Sequence, residues 1–134
     1  MKGTYILVVF IKKNIKLIIG ALGKTIFSKG YYFYIGSAMG SSGAPTLINR
    51  VKRHISSPNK KKVHWHIDYL LYNKNVVINY LYIIPSLQKL ECLIANELLN
   101  ISDGYIKKFG SSDCLCNSHL LYFKDFKSLR NIFQ

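Results

Sequence analysis

Glu91, Arg50 and His54 are the side chains whose settings in the chain suit chemistry on a charged substrate. Between Leu87 and about Asn100 the apolar spacing predicts a helix capped by Ser86, with Leu87, Leu90, Ile94 and Leu98 in one stripe. Glu91 falls inside that stripe and Glu97 nearer its edge. A carboxylate there costs several kcal/mol unless it is paired or holds a cation. A salt bridge to Arg50 and a bound divalent metal satisfy it equally well on the wheel. Arg50 and His54 stand four apart on a second predicted helix, which Ser41, Ser42 or Gly43 can cap, with Pro45 in the first turn and an end at Ser57 before Pro58. Leu47, Ile48, Val51 and Ile55 gather on its inner side, Arg53 points into solvent, and Arg50 and His54 lie along the border. From a border position a guanidinium can reach over a sheet edge and stabilise charge developing on a phosphate. The plainer accounts are a solvated helix charge for Arg50 and a satisfied border histidine for His54.

Two further clusters carry ligand-type side chains. Cys114-Leu115-Cys116 with His119 offers three soft ligands, and His64, His66 or Cys92 would complete a tetrahedral zinc site. The C-x-C spacing is tighter than usual zinc pairs and no second cysteine pair follows, which favours structural thiols. His64, His66 and Asp68 would face one way in a strand, whereas only His64 and Asp68 align in a helix. Packing, or stacking of Trp65 on a base, accounts for that segment as well as a metal does.

The elements that position these residues start with Tyr5 to Ile11, an apolar run without alternation that reads as a central strand covered on both faces. Ile15 to Ile19 forms a second strand hairpinned with it, Lys24 to Phe27 a short edge strand, and Gly30 to Ala38 a buried strand. Gly40, Ser41, Ser42 and Gly43 follow, and then the basic helix. Strand, small-residue turn and cationic helix in that order suit a phosphate. His64 to Tyr72 reads better as helix than strand, Val76 to Ile84 is β-rich and closed by Pro85, and Leu120 to Phe123 is a last strand before a short helix from Phe126. No linker or repeat divides residues 1–134, so a single domain is expected.

Charge sharpens the reading. The chain carries 19 Lys+Arg against 6 Asp+Glu, a formal net charge of +13, and residues 1–67 hold twelve basic side chains and no carboxylate. So one-sided a segment suits a polyanion, of which nucleic acid is the commonest. Lys52, Arg53 and the loop Lys60, Lys61 and Lys62 would lie along a phosphate backbone, positioning it without reading sequence. No stretch approaches the roughly 20 apolar residues of a membrane span. The start lacks a signal-peptide pattern, and three cysteines argue against a disulfide framework, so a reducing, cytoplasmic setting is expected.

Gly3-Thr4-Tyr5 and Tyr34-Ile35-Gly36 resemble the paired motif of the GIY-YIG nuclease superfamily, with threonine where isoleucine is more usual. Gly30 to Ala38, His64 to Leu71 and Phe109 to Leu120 resemble its compact branch of Uri-type endonucleases, so the likeness runs from Gly3 to about Phe123. It implies an α/β (α+β) fold, a small and mostly antiparallel sheet flanked by helices. It also implies metal-dependent hydrolysis of DNA phosphodiesters, structured or branched DNA included, with one Mg²⁺ or Mn²⁺ on Glu91. On the same likeness Arg50 stabilises charge, His54 binds the scissile phosphate or orders water, and Tyr5 or Tyr34 takes the water's proton. A free tyrosine has a pKa near 10, so that last role needs a neighbouring cation: Lys2, Arg50 or the metal. Gly36 would give the turn that lets backbone pass the phosphate. In the family the two tyrosines sit on adjoining strands with a short connection, whereas positions 6 to 33 separate them here. They can still meet if an extra hairpin loops out. A binding module that does not cut, and a zinc-stabilised RNA-binding domain, are the alternatives.

Overall fold

Residues 1–43, 46–56, 65–111 and 116–125 are described by the computed structural model. The expected basic loop Lys60 to Lys62, along with Pro45, Pro58, His64, Cys114 and the last helix from Phe126, lies outside the described residues.

Two long strands set the frame. β1 (Gly3–Ile11) and β4 (Gly30–Ala38) pair antiparallel along their whole lengths, Gly3 opposite Ala38 and Ile11 opposite Gly30. Between them β2 (Ile15–Ile19) and β3 (Gly23–Phe27) form a separate two-stranded sheet. The extra hairpin thus loops out, and it is the motif strands, not β1 and β2, that are neighbours. β5 (Val76–Pro85) pairs with the other edge of β1, and β7 (Leu120–Phe123) joins β4 to β6 (Gly104–Tyr105). The main sheet is therefore five-stranded, in the order β5-β1-β4-β7-β6, and every pairing is antiparallel.

Strand periodicity divides the core. Tyr5, Leu7, Val9 and Ile11 point to one face of β1, while Ile6 and Val8 point to the other. The first face meets Tyr32, Tyr34, the hairpin residues Ile15, Ile19 and Phe27, and helices α1 (Leu47–Ile55) and α2 (His66–Leu71). The second meets Phe33, Ile35, Leu121 and Phe123, covered by Ala95 and Leu98 of α3 (Glu91–Leu99). This is the mixed α+β architecture expected, with the continuous apolar run of β1 explained by cover on both sides. No helix among the described residues is long and apolar enough to cross a membrane.

Helix boundaries and faces differ from expectation. Thr46, not Ser41 to Gly43, caps α1, its Oγ1 accepting from the Asn49 N–H at 3.4 Å. Leu47, Val51 and His54 form the buried face, while Ile48 and Ile55 are exposed. α3 starts at Glu91 rather than Leu87. The Ser86 N–H still pairs with the Lys2 carbonyl, and the Ser86 Oγ caps a local turn through the Gln88 N–H. The chain therefore stays extended one residue beyond Pro85, and Leu87, expected in the stripe, stands 88% exposed.

Candidate active site

The register of β1 and β4 places Tyr5 opposite Gly36, and Leu7 opposite Tyr34. Both tyrosines face the side covered by α1 and α2, and their ring centroids lie 6.3 Å apart. A Cβ at Gly36 would overlap the Tyr5 ring, so only glycine lets that ring cross the neighbouring strand. This corrects the turn expected at Gly36, which sits inside β4. Tyr34 is cradled in turn by Gly110, whose φ of 69° suits glycine and where a Cβ would lie 3.0 Å from the ring.

α1 supplies the next layer. His54 is 1% exposed, and its Nε2 lies 2.6 Å from the Tyr5 hydroxyl. It backs Tyr5 instead of lining the cavity, so its expected place on the helix border is corrected, and with it a direct reach to phosphate. A histidine with a fixed polar partner is as good a core residue as leucine, which a hydrophobicity wheel cannot register. Arg50 stays on the border. Its Nη1 donates to the Ser37 carbonyl at 2.9 Å, and its guanidinium carbon lies 4.7 Å from the centre of the Trp65 ring. The buried Nε of Arg50 has no hydrogen-bond partner among the described residues. Arg53, expected in solvent, instead bonds Asp68 at 2.8 Å and stacks 4.4 Å from the Trp65 ring centre. Lys52 alone of the described backbone-tracking candidates is exposed.

Asp68 is a structural carboxylate. Buried in the first turn of α2, it takes the Arg53 guanidinium and the Trp65 N–H, the latter at 2.8 Å. That arrangement holds Trp65 and His66 at the start of the helix. His66 Nδ1 accepts the Gly110 N–H at 2.8 Å, which requires the neutral ring and leaves its proton on Nε2. Burial also pulls its pKa below the ordinary histidine value.

Glu91 opens α3 with its side chain 14% exposed. It does not pair with Arg50. Lys89 Nζ lies 3.2 Å from Oε1, and His119 Nδ1 lies 3.9 Å from Oε2.

These groups converge on a cavity of about 320 Å³ lined by Tyr5, Tyr34, Gly36, Ser37, Arg50 and Glu91, together with Trp65, His66, Lys89 and Gly110. Of the residues expected to carry chemistry, Tyr5, Tyr34, Arg50 and Glu91 meet here, and His54 stands directly behind. Sequence reasoning does not place Trp65, His66 and Lys89 in this site. His66 and Trp65 stand out as a cluster, but the bond that aims His66 comes from Gly110, 44 positions on, and Trp65 is set by the stacked arginines of α1. Tyr5 is held as a neutral hydroxyl, because burial and then the nearby Tyr34 push its pKa well above 10, and Arg50 only partly offsets them. The expected zinc grouping is also rearranged. Cys92 and Cys116 form a disulfide, against the expectation of none, and His119 packs beside it.

A family model described as Domain of unknown function DUF123 matches residues 4–134. No curated protein and no solved structure matches the chain.

Proposed function

Since this chain belongs to the DUF123 family, whose description assigns no activity, we propose from the cavity itself that it is a metal-dependent endonuclease of the GIY-YIG type. Its substrate on this reading is the DNA phosphodiester. The observation that carries the proposal is the meeting of two tyrosines, one guanidinium and one carboxylate in a single polar cavity, on a chain whose first 67 residues lack any acid.

The residues suit the role. Glu91 is a single carboxylate facing space for waters and phosphate oxygens, the ligand set that Mg²⁺ tolerates. A divalent cation, Mg²⁺ or Mn²⁺, bound there would supply Lewis-acid stabilisation of charge on the phosphate. Arg50 is held by Ser37 and Trp65 and lines the cavity, where its guanidinium can bond a phosphate oxygen as negative charge grows. On this reading His54 carries its proton on Nδ1, so the Tyr5 hydroxyl donates to Nε2 and keeps a lone pair on its oxygen for the attacking water. As water adds to phosphorus, its proton passes to the Tyr5 oxygen and the Tyr5 proton moves on to His54, while the opposite P–O ester bond breaks and the departing alkoxide takes a proton from solvent water. No free phenolate is needed, in keeping with the raised pKa of Tyr5. The Nε2–H of His66 and the Lys89 ammonium supply further donors for the phosphate.

The test is a nicking assay on supercoiled, flapped and branched DNA with Mg²⁺ or Mn²⁺, repeated with Glu91→Ala. Cation-dependent cleavage that disappears in the variant supports the proposal; binding without cleavage by either protein overturns it. One observation favours that second outcome, a nucleic-acid-binding module. Lys89 already neutralises the carboxylate that a cation would require.

A further inference from the structure

Directly behind Glu91, Cys92 Sγ, Cys116 Sγ and a ring nitrogen of His119 lie within 4.8 Å of one another. From this cluster we infer a second metal site, one that binds a single Zn²⁺ when the protein is reduced. It is separate from the hard-cation chemistry proposed for Glu91 and does not depend on it.

Geometry carries the inference. Cys92 Sγ is 3.6 Å from His119 Nε2. With Zn–S near 2.3 Å and Zn–N near 2.05 Å, a tetrahedral ion sets its sulfur and nitrogen ligands about 3.6 Å apart. The Cα atoms of Cys92 and Cys116 are 6.1 Å apart, close enough for both sulfurs to share one ion. The backbone of His119 is pinned on both sides, its N–H donating to the Phe109 carbonyl at 2.8 Å and its carbonyl accepting the Ile35 N–H at 2.9 Å. Its other ring nitrogen faces Glu91 Oε2 at 3.9 Å, the carboxylate–histidine–metal order that orients a zinc-bound imidazole. His119 and Cys116 are buried, as structural zinc ligands are.

The chemistry balances with a thiol or phosphine reductant. Two electrons and two protons convert the disulfide to two thiols. Zn²⁺ then displaces two protons as both sulfurs bind as thiolates and His119 binds neutral through Nε2. A fourth position remains for water or another donor. The ion would tie the first turn of α3 to the approach of β7, and so fix Glu91, the residue before Cys92.

The experiment uses the full chain purified in a phosphine reductant. Elemental analysis should find about one zinc per chain, and Cys92→Ser, Cys116→Ser and His119→Ala should each lose most of it. Cobalt added to reduced, zinc-stripped wild type should give thiolate-to-cobalt charge transfer with the intense visible bands of a tetrahedral site. This measurement decides the matter should the variants fail to fold. Reduced protein with titratable thiols, no zinc and no such bands would overturn the inference and leave a plain disulfide. Zinc retained in both serine variants would overturn it equally, by placing the ion elsewhere.

Discussion

The two walls of the cavity are built on different principles. One, from β1, β4, α1 and α2, consists of buried and half-buried side chains each held by fixed partners: Tyr5 by His54, Arg50 by Ser37 and Trp65, and His66 by Gly110. The other is the first turn of α3 with Lys89, where a partly exposed carboxylate faces one ammonium and one imidazole. Rigid donors suit charge that appears only during reaction, since they need not reorganise when it does. A carboxylate with exchangeable partners suits an ion that comes and goes. The difference teaches that the first wall sets geometry and the second sets occupancy.

Removing the guanidinium breaks the contrast most severely. Arg50→Ala should lower the initial rate of Mg²⁺-dependent nicking by roughly 10²- to 10³-fold while circular dichroism stays unchanged. A rate within threefold of wild type would deny the rigid wall its role. Next comes Gly36→Ala, which forces a methyl into the Tyr5 ring and should cost about 1–3 kcal/mol in urea unfolding. In a Tyr5→Ala background the same change should be nearly free, because the obstacle is gone. Tyr5→Phe keeps the ring but strips the hydroxyl from His54 Nε2, for an expected loss of about 1 kcal/mol in the same measurement.

A smaller effect concerns pH. The folded His66 has a depressed pKa, so the native state binds fewer protons than the unfolded chain. Its contribution is fully present above the unfolded value of about 6.5 and is lost as pH falls through the folded value. His66→Asn, whose Oδ1 can accept the Gly110 N–H, should flatten the slope of unfolding free energy against pH in that range. An unchanged slope would assign the dependence to another group. The smallest change belongs to the adjustable wall. Lys89, 62% exposed, contributes little to stability, so Lys89→Ala should leave the urea midpoint nearly unmoved. The half-saturating Mg²⁺ concentration for cleavage should fall a few-fold, and a rise would show that the lysine assists the cation.

Local pattern carried much of the fold. The unbroken apolar run of β1, the β-branched Val76 to Ile84 and the small residues after Ala38 each dictate their own conformation, and the structure follows them. Distance in the chain hid the rest. His54 reads as polar on any wheel, yet Tyr5, 49 positions away, makes it a core residue. Asp68 likewise draws Arg53 in from solvent, though the arginine side chain stays 26% exposed. Ile48 and Ile55 look buried and are exposed because no element covers that side of α1 among the described residues. Glu91 draws attention by lying in an apolar stripe, but the helix begins at Glu91 itself, so its burial comes from the cavity rim and not from the helix face. Gly36 could not be assigned its role without the register that sets it across from an aromatic ring.

The hairpin strung between the two motif strands has a consequence for anyone shortening this chain. Ile15, Ile19 and Phe27 plug the same core that seats Tyr5 and Tyr34, and Gly20 at its tip abuts Tyr69 of α2. What looks in one dimension like a dispensable insertion is, in three, the buttress under the helix that aims Trp65 and His66. Trimming it to bring the tyrosines closer in sequence would pull the floor from beneath the cavity.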